Sequence, residues 1–212
     1  KKEAEAEAEE KSLALKKEDE EKAKLQKRRR EAVAKELLST EENYVQILQN
    51  VCNLILQPLT IVVDTDEQIL TTQQIRTIFS TIEVIRNYNQ VFLDTIKHTM
   101  VDYLKDPEDK ELMLGDLLAK SSVWLKTYQS YVVNYASSLA CLAKAQKSDQ
   151  AFRDFLRSPK ARLALGHSDL SGLLITPIQR IGRYVMLAEQ LLRFTPEGHP
   201  DRKDLSEALS LF

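Results

Sequence analysis

The segment ITPIQRIGRYVMLAEQLLRF, residues 175–194, decides the fold because its apolar residues recur at helical spacing. Thr176 is placed to cap this helix, and Pro177 stands at the first helical position, where a missing N–H costs nothing. At about 100° per residue one broad face collects the apolar side chains: Ile181, Tyr184, Val185, Leu187, Ala188, Leu191 and Leu192. The segment predicts a long amphipathic helix packed against a core.

The two arginines of this segment are predicted to face in different directions. Gln179 and Arg183 lie in the narrow stripe opposite the apolar face. Arg180 projects within about 20° of Leu187 and Leu191, at the flank of the buried face. A buried guanidinium needs a carboxylate or carbonyl partner. We therefore expect Arg183 to face outward and Arg180 to find such a partner inside the protein.

The composition of the chain favours long helices with short connections. Its 212 residues are 43% hydrophobic, and only five glycines and six prolines are present, few for a turn-rich β architecture. The formal net charge of −2 gives no reason to expect nucleic acid as a partner. Cys52 and Cys141 lie far apart in apolar helical patterns, which indicates reduced core thiols rather than a disulfide or metal site. Together these features predict a soluble, cytoplasmic, mostly helical protein without a transmembrane segment.

Residues 1–30 form a charged segment, KKEAEAEAEEKSLALKKEDEEKAKLQKRRR. Its residue types favour helix, and pairs such as Glu18 and Lys22 have the stabilising i,i+4 order. The bland interpretation is a solvated charged helix or a linker. An autoinhibitory or partner-binding helix and a coiled-coil dimer are the alternatives, although the three leucines of the segment are too sparse for a convincing heptad seam.

The rest of the chain alternates between helical patterns and breakers. The first amphipathic pattern runs from residue 31 until Pro58 stops it, and a second long helix begins at Thr71 or Thr72. Further helical and loop regions follow in this order: a turn at 105–110, a helical region at 117–147, a short helix at 149–159, a loop at 164–172, the segment quoted above, a break at 195–201 and the start of a last helix. The predicted fold is all-α, an elongated bundle of long helices with a charged N-terminal helical extension.

One acidic residue lies on an apolar face. In the first amphipathic pattern Glu41 projects within roughly 40° of Leu37, in the middle of the face that should be buried. An unpaired carboxylate there costs several kcal/mol or stays protonated, so a partner must exist. An internal salt bridge to Arg180 is one hypothesis. The other is that Glu41 awaits hydrogen-bond donors on another protein, and the periodicity leaves both open.

Conventional catalytic chemistry finds little support in the sequence. The phosphate-binding loop, the dinucleotide fingerprint and the nucleophile elbow are all missing from the sequence. The three histidines are scattered, and no Cys, His or carboxylate cluster has metal-ligand spacing. An aromatic stripe at helical spacing is expected to belong to the core: Trp124, Tyr128, Tyr131 and Tyr135. We predict no catalytic residue, no metal site and no cofactor.

Three segments together resemble the Dbl-homology (DH) domain of the guanine nucleotide exchange factors for Rho-family GTPases. They are STEENYVQIL at 39–48, LLAKSSVWLKTYQSYVVNY at 117–135 and LLITPIQRIGRYVMLAEQLLRFTPEGHPD at 173–201. They occur in the order and at the spacing of that family. The resemblance covers residues 31–212 and leaves residues 1–30 outside it as an extension or linker.

The resemblance implies roles for individual residues. Glu41 falls on the family's glutamate, which accepts hydrogen bonds from switch I of the GTPase. Gln179 and Arg183 fall on the residues that meet switch II, and Arg180 falls on a structural position. The loop at Ser168 to Leu170 falls in a region that contributes to the choice of GTPase.

The resemblance also implies a function. It identifies an exchange factor that promotes GDP release and GTP loading on a Rho- or Rac-family GTPase, prefers the nucleotide-free form and makes no covalent bond. A monomer acting in the cytoplasm, recruited to the membrane or cortical actin through a following pleckstrin-homology domain, is the corresponding expectation. The rival hypothesis is a helical scaffold, or an autoinhibited module, that binds a GTPase or cytoskeletal partner without exchange.

The sequence departs from the family pattern at a few positions. Asn89 stands where the family often has histidine and Ala188 where leucine is frequent, and we expect both to be repacked core residues. The sequence stops at Phe212, before an asparagine that the family's last long helix supplies to the GTPase. The expectation is a DH domain truncated within that helix and lacking the pleckstrin-homology domain.

Overall fold

The computed structural model describes residues 2–121 and 124–211, and for residues 2–10 and 125 it describes the backbone alone. Lys1, residues 122–123 and Phe212 lie outside this part. They belong, in this order, to the predicted extension, to the predicted helical region at 117–147 and to the predicted last helix. Every regular element within the described part is helical. This confirms the all-α prediction.

The first helical region is longer than the sequence predicts. Helix α1 spans Lys2–Asn50, is continued by π-helical turns at Val51–Leu56 and then by α2 at Gln57–Ile61. Pro58 does not stop the helix, contrary to the prediction, because it stands in the first turn of α2, directly after the π-helical turns. Its ring fixes φ at about −65°, a helical value, and the π-helical turns lie directly before it, where its missing N–H interrupts the hydrogen-bond pattern.

The second predicted helix is divided in two. Helix α3 spans Thr72–Phe79 and α4 spans Ile82–Leu104, and Ser80 between them has a positive φ of 47° that no α-helix accommodates. The predicted start is confirmed, since the Thr71 hydroxyl and the Gln74 side chain form a reciprocal capping box. The two helices bury the apolar residues that defined the pattern: Ile75, Ile78, Phe79, Ile82, Ile85 and Phe92.

The C-terminal half of the chain contains seven helices within its described part. They are α5 at Gly115–Ser121, α6 at Leu125–Ser148, α7 at Gln150–Arg157, α8 at Pro159–Leu165, α9 at Leu170–Leu174, α10 at Thr176–Arg193 and α11 at Arg202–Leu211. Pro159 ends α7 as predicted, but it also begins α8, which the sequence analysis missed. Gly166 terminates α8 with a φ of 58°, a conformation that favours glycine.

The start of α10 differs from the prediction by one position. The helix begins at Thr176 itself, and the Thr176 hydroxyl donates to the Leu173 carbonyl at 2.7 Å instead of capping the new helix. The reason is that α9 ends only two residues earlier, so its last carbonyl groups are within reach. Asp169 caps α9 by accepting from the Gly172 N–H at 2.8 Å, inside the predicted loop.

The core consists of two clusters of buried side chains. One surrounds the π-helical turns and is contributed largely by α3, α6 and α9, and the other lies between the middle of α1 and helices α4, α5, α10 and α11. Tyr128 and Tyr131 of the aromatic stripe are buried as predicted, and Trp124 bridges the two clusters. Cys52 is buried and Cys141 half-buried, both as free thiols.

The charged extension continues α1 without a break. Its described leucines are solvent-exposed, and residues 11–26 are exposed throughout. Contacts begin where the extension ends: the Lys27 ammonium donates to the Pro107 carbonyl at 2.5 Å, and Arg29 lies over the Phe194 ring. This exposure agrees with the solvated-helix interpretation, and a regulatory role stays a prediction. Among the described residues no helix has the length and apolar character needed to cross a bilayer.

Asp201 is a buried acidic residue that the sequence analysis did not identify, and it holds three segments of the bundle together. The Asp201 carboxylate is fully buried, forms an ion pair with Arg30 and accepts the backbone N–H groups of Leu114 and Gly115 at 3.0 and 2.7 Å. It thereby joins α1, α5 and the segment that leads into α11. The last described helix is held against the rest by this cluster.

Candidate functional site

The two charged residues that the helical pattern places at buried faces, Glu41 and Arg180, pair with each other. Glu41 is 0% and Arg180 6% exposed. Arg180 donates from Nη2 and Nε to Glu41 Oε2 at 2.5 and 3.1 Å, and the Tyr184 hydroxyl donates to the same oxygen at 2.8 Å. The internal salt bridge, one of the two hypotheses for Glu41, is therefore present, and Arg180 has the inward position that the helical pattern predicts.

The remaining surface of the Arg180 guanidinium is also occupied. Its Nη1 donates to the Thr40 hydroxyl oxygen at 3.0 Å. The guanidinium carbon lies 5.5 Å from the centre of the Tyr44 ring and 4.5 Å from that of Tyr184. Arginine stacks readily on aromatic faces because its charge is delocalised and weakly hydrated. Arg180 thus joins α1 to α10 by an ion pair, a hydrogen bond and two ring contacts.

The two oxygens of the Glu41 carboxylate have different surroundings. Oε2 receives the three donors described above, whereas Oε1 has no hydrogen-bond partner among the described residues. Burial raises the pKa of this carboxyl, and the Arg180 charge and the Tyr184 and Arg180 hydrogen bonds oppose the rise. An ionised oxygen buried without a donor is costly. Oε1 is therefore an acceptor with unused capacity.

A chain of buried polar groups extends from Glu41 across the bundle. The Tyr184 hydroxyl lies 2.7 Å from Asn89 Oδ1, and Asn89 Nδ2 donates to the Ile85 carbonyl at 2.6 Å and to the Tyr128 hydroxyl at 2.8 Å. The Tyr128 and Tyr44 hydroxyls are 3.0 Å apart. Asn89 is buried, as expected, but it is a polar junction between α4, α6 and α10 and not an apolar packing residue.

The predicted outward stripe of α10 does face outward. Gln179 is exposed, and the Arg183 side chain is 41% exposed. Arg183 Nη2 donates to Glu36 Oε1 of α1 at 2.6 Å, and the Glu36 side chain is 40% exposed. The sequence analysis did not identify Glu36. It is tied to the site locally, since it precedes Thr40 by one helical turn and the Thr40 hydroxyl donates to its carbonyl at 2.8 Å.

The two loop residues predicted to influence selectivity differ in exposure. Ser168 is exposed in the turn after α8, whereas Leu170 begins α9 and is 1% exposed. Burial leaves Leu170 almost no surface with which to touch another protein, so any influence that it has would act through packing. The role of both residues in selectivity stays a prediction.

No group of three or more His, Cys, Asp or Glu side chains in the described part of the chain could hold a metal ion. Between them, α1 and α10 carry a buried carboxylate with one unpaired oxygen, an exposed glutamine and a half-exposed ion pair.

Comparison with known families identifies the chain. The family model described as "RhoGEF domain" matches residues 33–212. The chain belongs to the RhoGEF domain family. The match begins close to residue 31, where the sequence analysis placed the start of the domain, and it leaves the exposed N-terminal part of α1 outside. The resemblance stated from the three motifs is thereby confirmed.

Two curated proteins show how far the similarity extends. The chain is 38% identical over 182 residues to "Guanine exchange factor for Rac 30" of Dictyostelium discoideum, covering 85% of this chain and 10% of that protein. It is 32% identical over 178 residues to human "Protein ECT2", covering 84% of this chain and 19% of that protein. The chain thus spans only a small part of these relatives.

Solved structures confirm the DH-type bundle of this RhoGEF domain. The DH domain of FARP2 superimposes with a TM-score of 0.69 at 23% identity and covers 84% of this chain and 82% of that one. A Vav1 exchange-factor structure gives a TM-score of 0.74 at 21% identity, covering 88% of this chain and 47% of that one. At such identities the likeness concerns the fold alone.

Proposed function

We propose that the RhoGEF domain promotes GDP release and GTP loading on a Rho- or Rac-family small GTPase by binding its two switch regions. The family match over residues 33–212 carries this proposal. The contacts between α1 and α10 support it, because Arg180 of α10 bonds Glu41 of α1 and Arg183 of α10 bonds Glu36 of α1. The names of the Dictyostelium relatives point to Rac-type substrates.

The proposed mechanism is a binding equilibrium without bond chemistry. If the domain binds the nucleotide-free GTPase more tightly than the nucleotide-bound form, linkage requires that it weaken nucleotide binding by the same factor. Accelerating release a thousandfold requires about 4 kcal/mol of differential stabilisation. A few charge-assisted hydrogen bonds that form only in the exchange complex supply that amount. In this account the Mg²⁺ ion belongs to the GTPase and its nucleotide.

The surface residues would act first. Gln179 is exposed and already accessible to switch II. Arg183 must exchange its partner Glu36 for a group on the GTPase, and a half-exposed ion pair is a weak restraint that an incoming carboxylate or carbonyl can replace. The released Glu36 carboxylate would then offer a second acceptor beside the first.

Glu41 would act after the encounter. Its Oε1 has spare acceptor capacity but no solvent access, so switch I must reach it by displacing the side chains that cover it. An ionised carboxylate is an acceptor only, and backbone N–H or hydroxyl groups of switch I would satisfy it. Oε2 would meanwhile stay bonded to Arg180. Glu41 then serves both hypotheses, as half of an internal salt bridge and as an acceptor for the partner.

A release assay with a matched pair of charge reversals tests this proposal. Fluorescent GDP release is measured from a panel of Rho-family GTPases with the wild-type domain, with Arg183→Glu and with Arg157→Glu. Arg157 is a matched control because it also forms a surface ion pair, with Asp154 on α7. We expect acceleration that falls at least about tenfold in Arg183→Glu, the loss of roughly one charge-assisted contact, and is unchanged in Arg157→Glu.

Different outcomes favour the scaffold hypothesis. A folded domain that captures a GTPase without accelerating GDP release on any member would support a scaffold or an autoinhibited module. Equal losses in the two arginine variants would show that net charge, and not the α10 stripe, is responsible. Action in the cytoplasm, recruitment to membranes and a monomeric state stay predictions of the sequence.

A further inference from the structure

The orientation of the Glu41 carboxylate is under-determined by Arg180 alone. A guanidinium fork normally binds both oxygens of a carboxylate. Here Nε and Nη2 of Arg180 both converge on Oε2, at 3.1 and 2.5 Å. Rotation of the carboxylate by a fraction of a turn would give one donor to each oxygen and would use up Oε1. Another group must therefore favour the observed orientation.

The Tyr184 hydroxyl is that group. It lies 2.8 Å from Oε2 and approaches the carboxylate from the side of α4 and α6, where its ring packs edge-on against Phe92 and Trp124. With three donors gathered on Oε2, the carboxylate cannot turn without losing the tyrosine bond. Oε1 is thereby left without a donor among the described residues of the bundle.

The hydroxyl in turn is placed by Asn89. The Asn89 amide has one possible orientation, because its Nδ2 must face the Ile85 carbonyl at 2.6 Å, and this directs Oδ1 to the Tyr184 hydroxyl at 2.7 Å. A phenol has a single proton, and here two acceptors, Asn89 Oδ1 and Glu41 Oε2, share it. Asn89 therefore fixes the position of the Tyr184 hydroxyl, and it adds no hydrogen-bond donor to the Glu41 carboxylate.

We propose that Asn89 is a positioning residue for nucleotide exchange: through the Tyr184 hydroxyl it holds the Glu41 carboxylate so that Oε1 is presented to the GTPase. The inference rests on the proposed function. Asn89 is 0% exposed and lies on α4, so it cannot touch the partner itself. Its effect belongs to the step in which switch I is drawn away from the nucleotide, and not to the encounter with Gln179 and Arg183.

Exchange kinetics of a small set of variants test this. Asn89→Leu removes the amide and keeps the branching of the side chain, and Tyr184→Phe removes only the hydroxyl while it keeps the ring packing. Asn134→Leu is the matched control, because Asn134 Nδ2 also donates to a backbone carbonyl, that of Thr77 at 2.8 Å, away from Glu41. The observed GDP-release rate is followed against domain concentration, which separates the saturating rate from the half-saturating concentration.

We expect Asn89→Leu and Tyr184→Phe each to lower the saturating rate about tenfold, the effect of losing one well-placed hydrogen bond, with the half-saturating concentration changed by less than about threefold. The double variant should be no slower than either single one, because both act through the same hydroxyl. Asn134→Leu should lose stability but keep the wild-type rate.

Three results would overturn the inference. They are an unchanged saturating rate in Tyr184→Phe, a loss in Asn134→Leu as large as that in Asn89→Leu, and multiplicative losses in the double variant. A wild-type domain that accelerates no GTPase would instead refute the proposed function, so the two failures are distinguishable.

Discussion

Replacing Glu41 with alanine is expected to lower the free energy of unfolding by about 3–5 kcal/mol, because it leaves a buried charge without its counter-ion. Arg180 is 6% exposed, and its remaining contacts would be the Thr40 hydroxyl and two tyrosine rings. These groups are uncharged and cannot replace a carboxylate. The Tyr184 hydroxyl would lose an acceptor in the same change. The loss therefore exceeds that of an ordinary surface charge several-fold.

A double variant separates the effect of losing the charges from the effect of losing side-chain volume. In Glu41→Leu with Arg180→Met, both charges are replaced by apolar side chains of similar volume, and the unfolding free energy should return to within about 1 kcal/mol of wild type. Urea unfolding followed by circular dichroism at 222 nm measures all the variants, and unchanged m-values would show that only stability differs. A loss below about 1 kcal/mol in Glu41→Ala, or a double variant as unstable as the sum of the single ones, would refute this reasoning.

Three further predictions follow from individual sites. Ser80→Gly should raise the unfolding free energy by about 1 kcal/mol, because Ser80 holds a positive φ of 47° that glycine adopts without strain; an unchanged urea midpoint would contradict this. Burial raises the pKa of the Cys52 thiol to about 11, so the unfolded state loses its proton first and stability should fall as the pH rises from about 9 towards 11; a Cys141→Ser variant whose stability does not change over that range would contradict it. Deleting residues 1–26 should leave the exchange rate within about twofold of wild type, because residues 11–26 are exposed and end before the first contacts at Lys27; a marked increase would establish autoinhibition.

Helical periodicity located most of the core and both misplaced charges. The apolar faces of α1, α4 and α10 follow the 3.6-residue repeat closely, and a charge that breaks such a repeat is conspicuous. The hypothesis that Glu41 pairs with Arg180 needed only the observation that each of them is a charged side chain at an apolar helix face. The assignment to a GTPase, by contrast, came from motif resemblance, because nothing in the spacing of these residues names a partner.

The parts that the sequence did not predict depend on tertiary context. Serine is not a residue type that predicts a helix break. The positive φ of Ser80 is tolerated between α3 and α4 because buried apolar residues on either side fix both helices. In the sequence Asp201 is typical of a turn, and its contacts with Arg30 and two backbone N–H groups form only in the folded protein. Asn89 likewise looked like a substituted core residue, because the hydroxyls that it joins lie on other helices.

The measurement that tests the central claim most directly is fluorescent-GDP release from a panel of Rho-family GTPases, made with the wild-type domain and with Arg183→Glu. The account predicts that the domain accelerates release from at least one member and that the variant loses most of this acceleration while it stays folded. A folded wild-type domain that leaves the release rate of every member unchanged would contradict it.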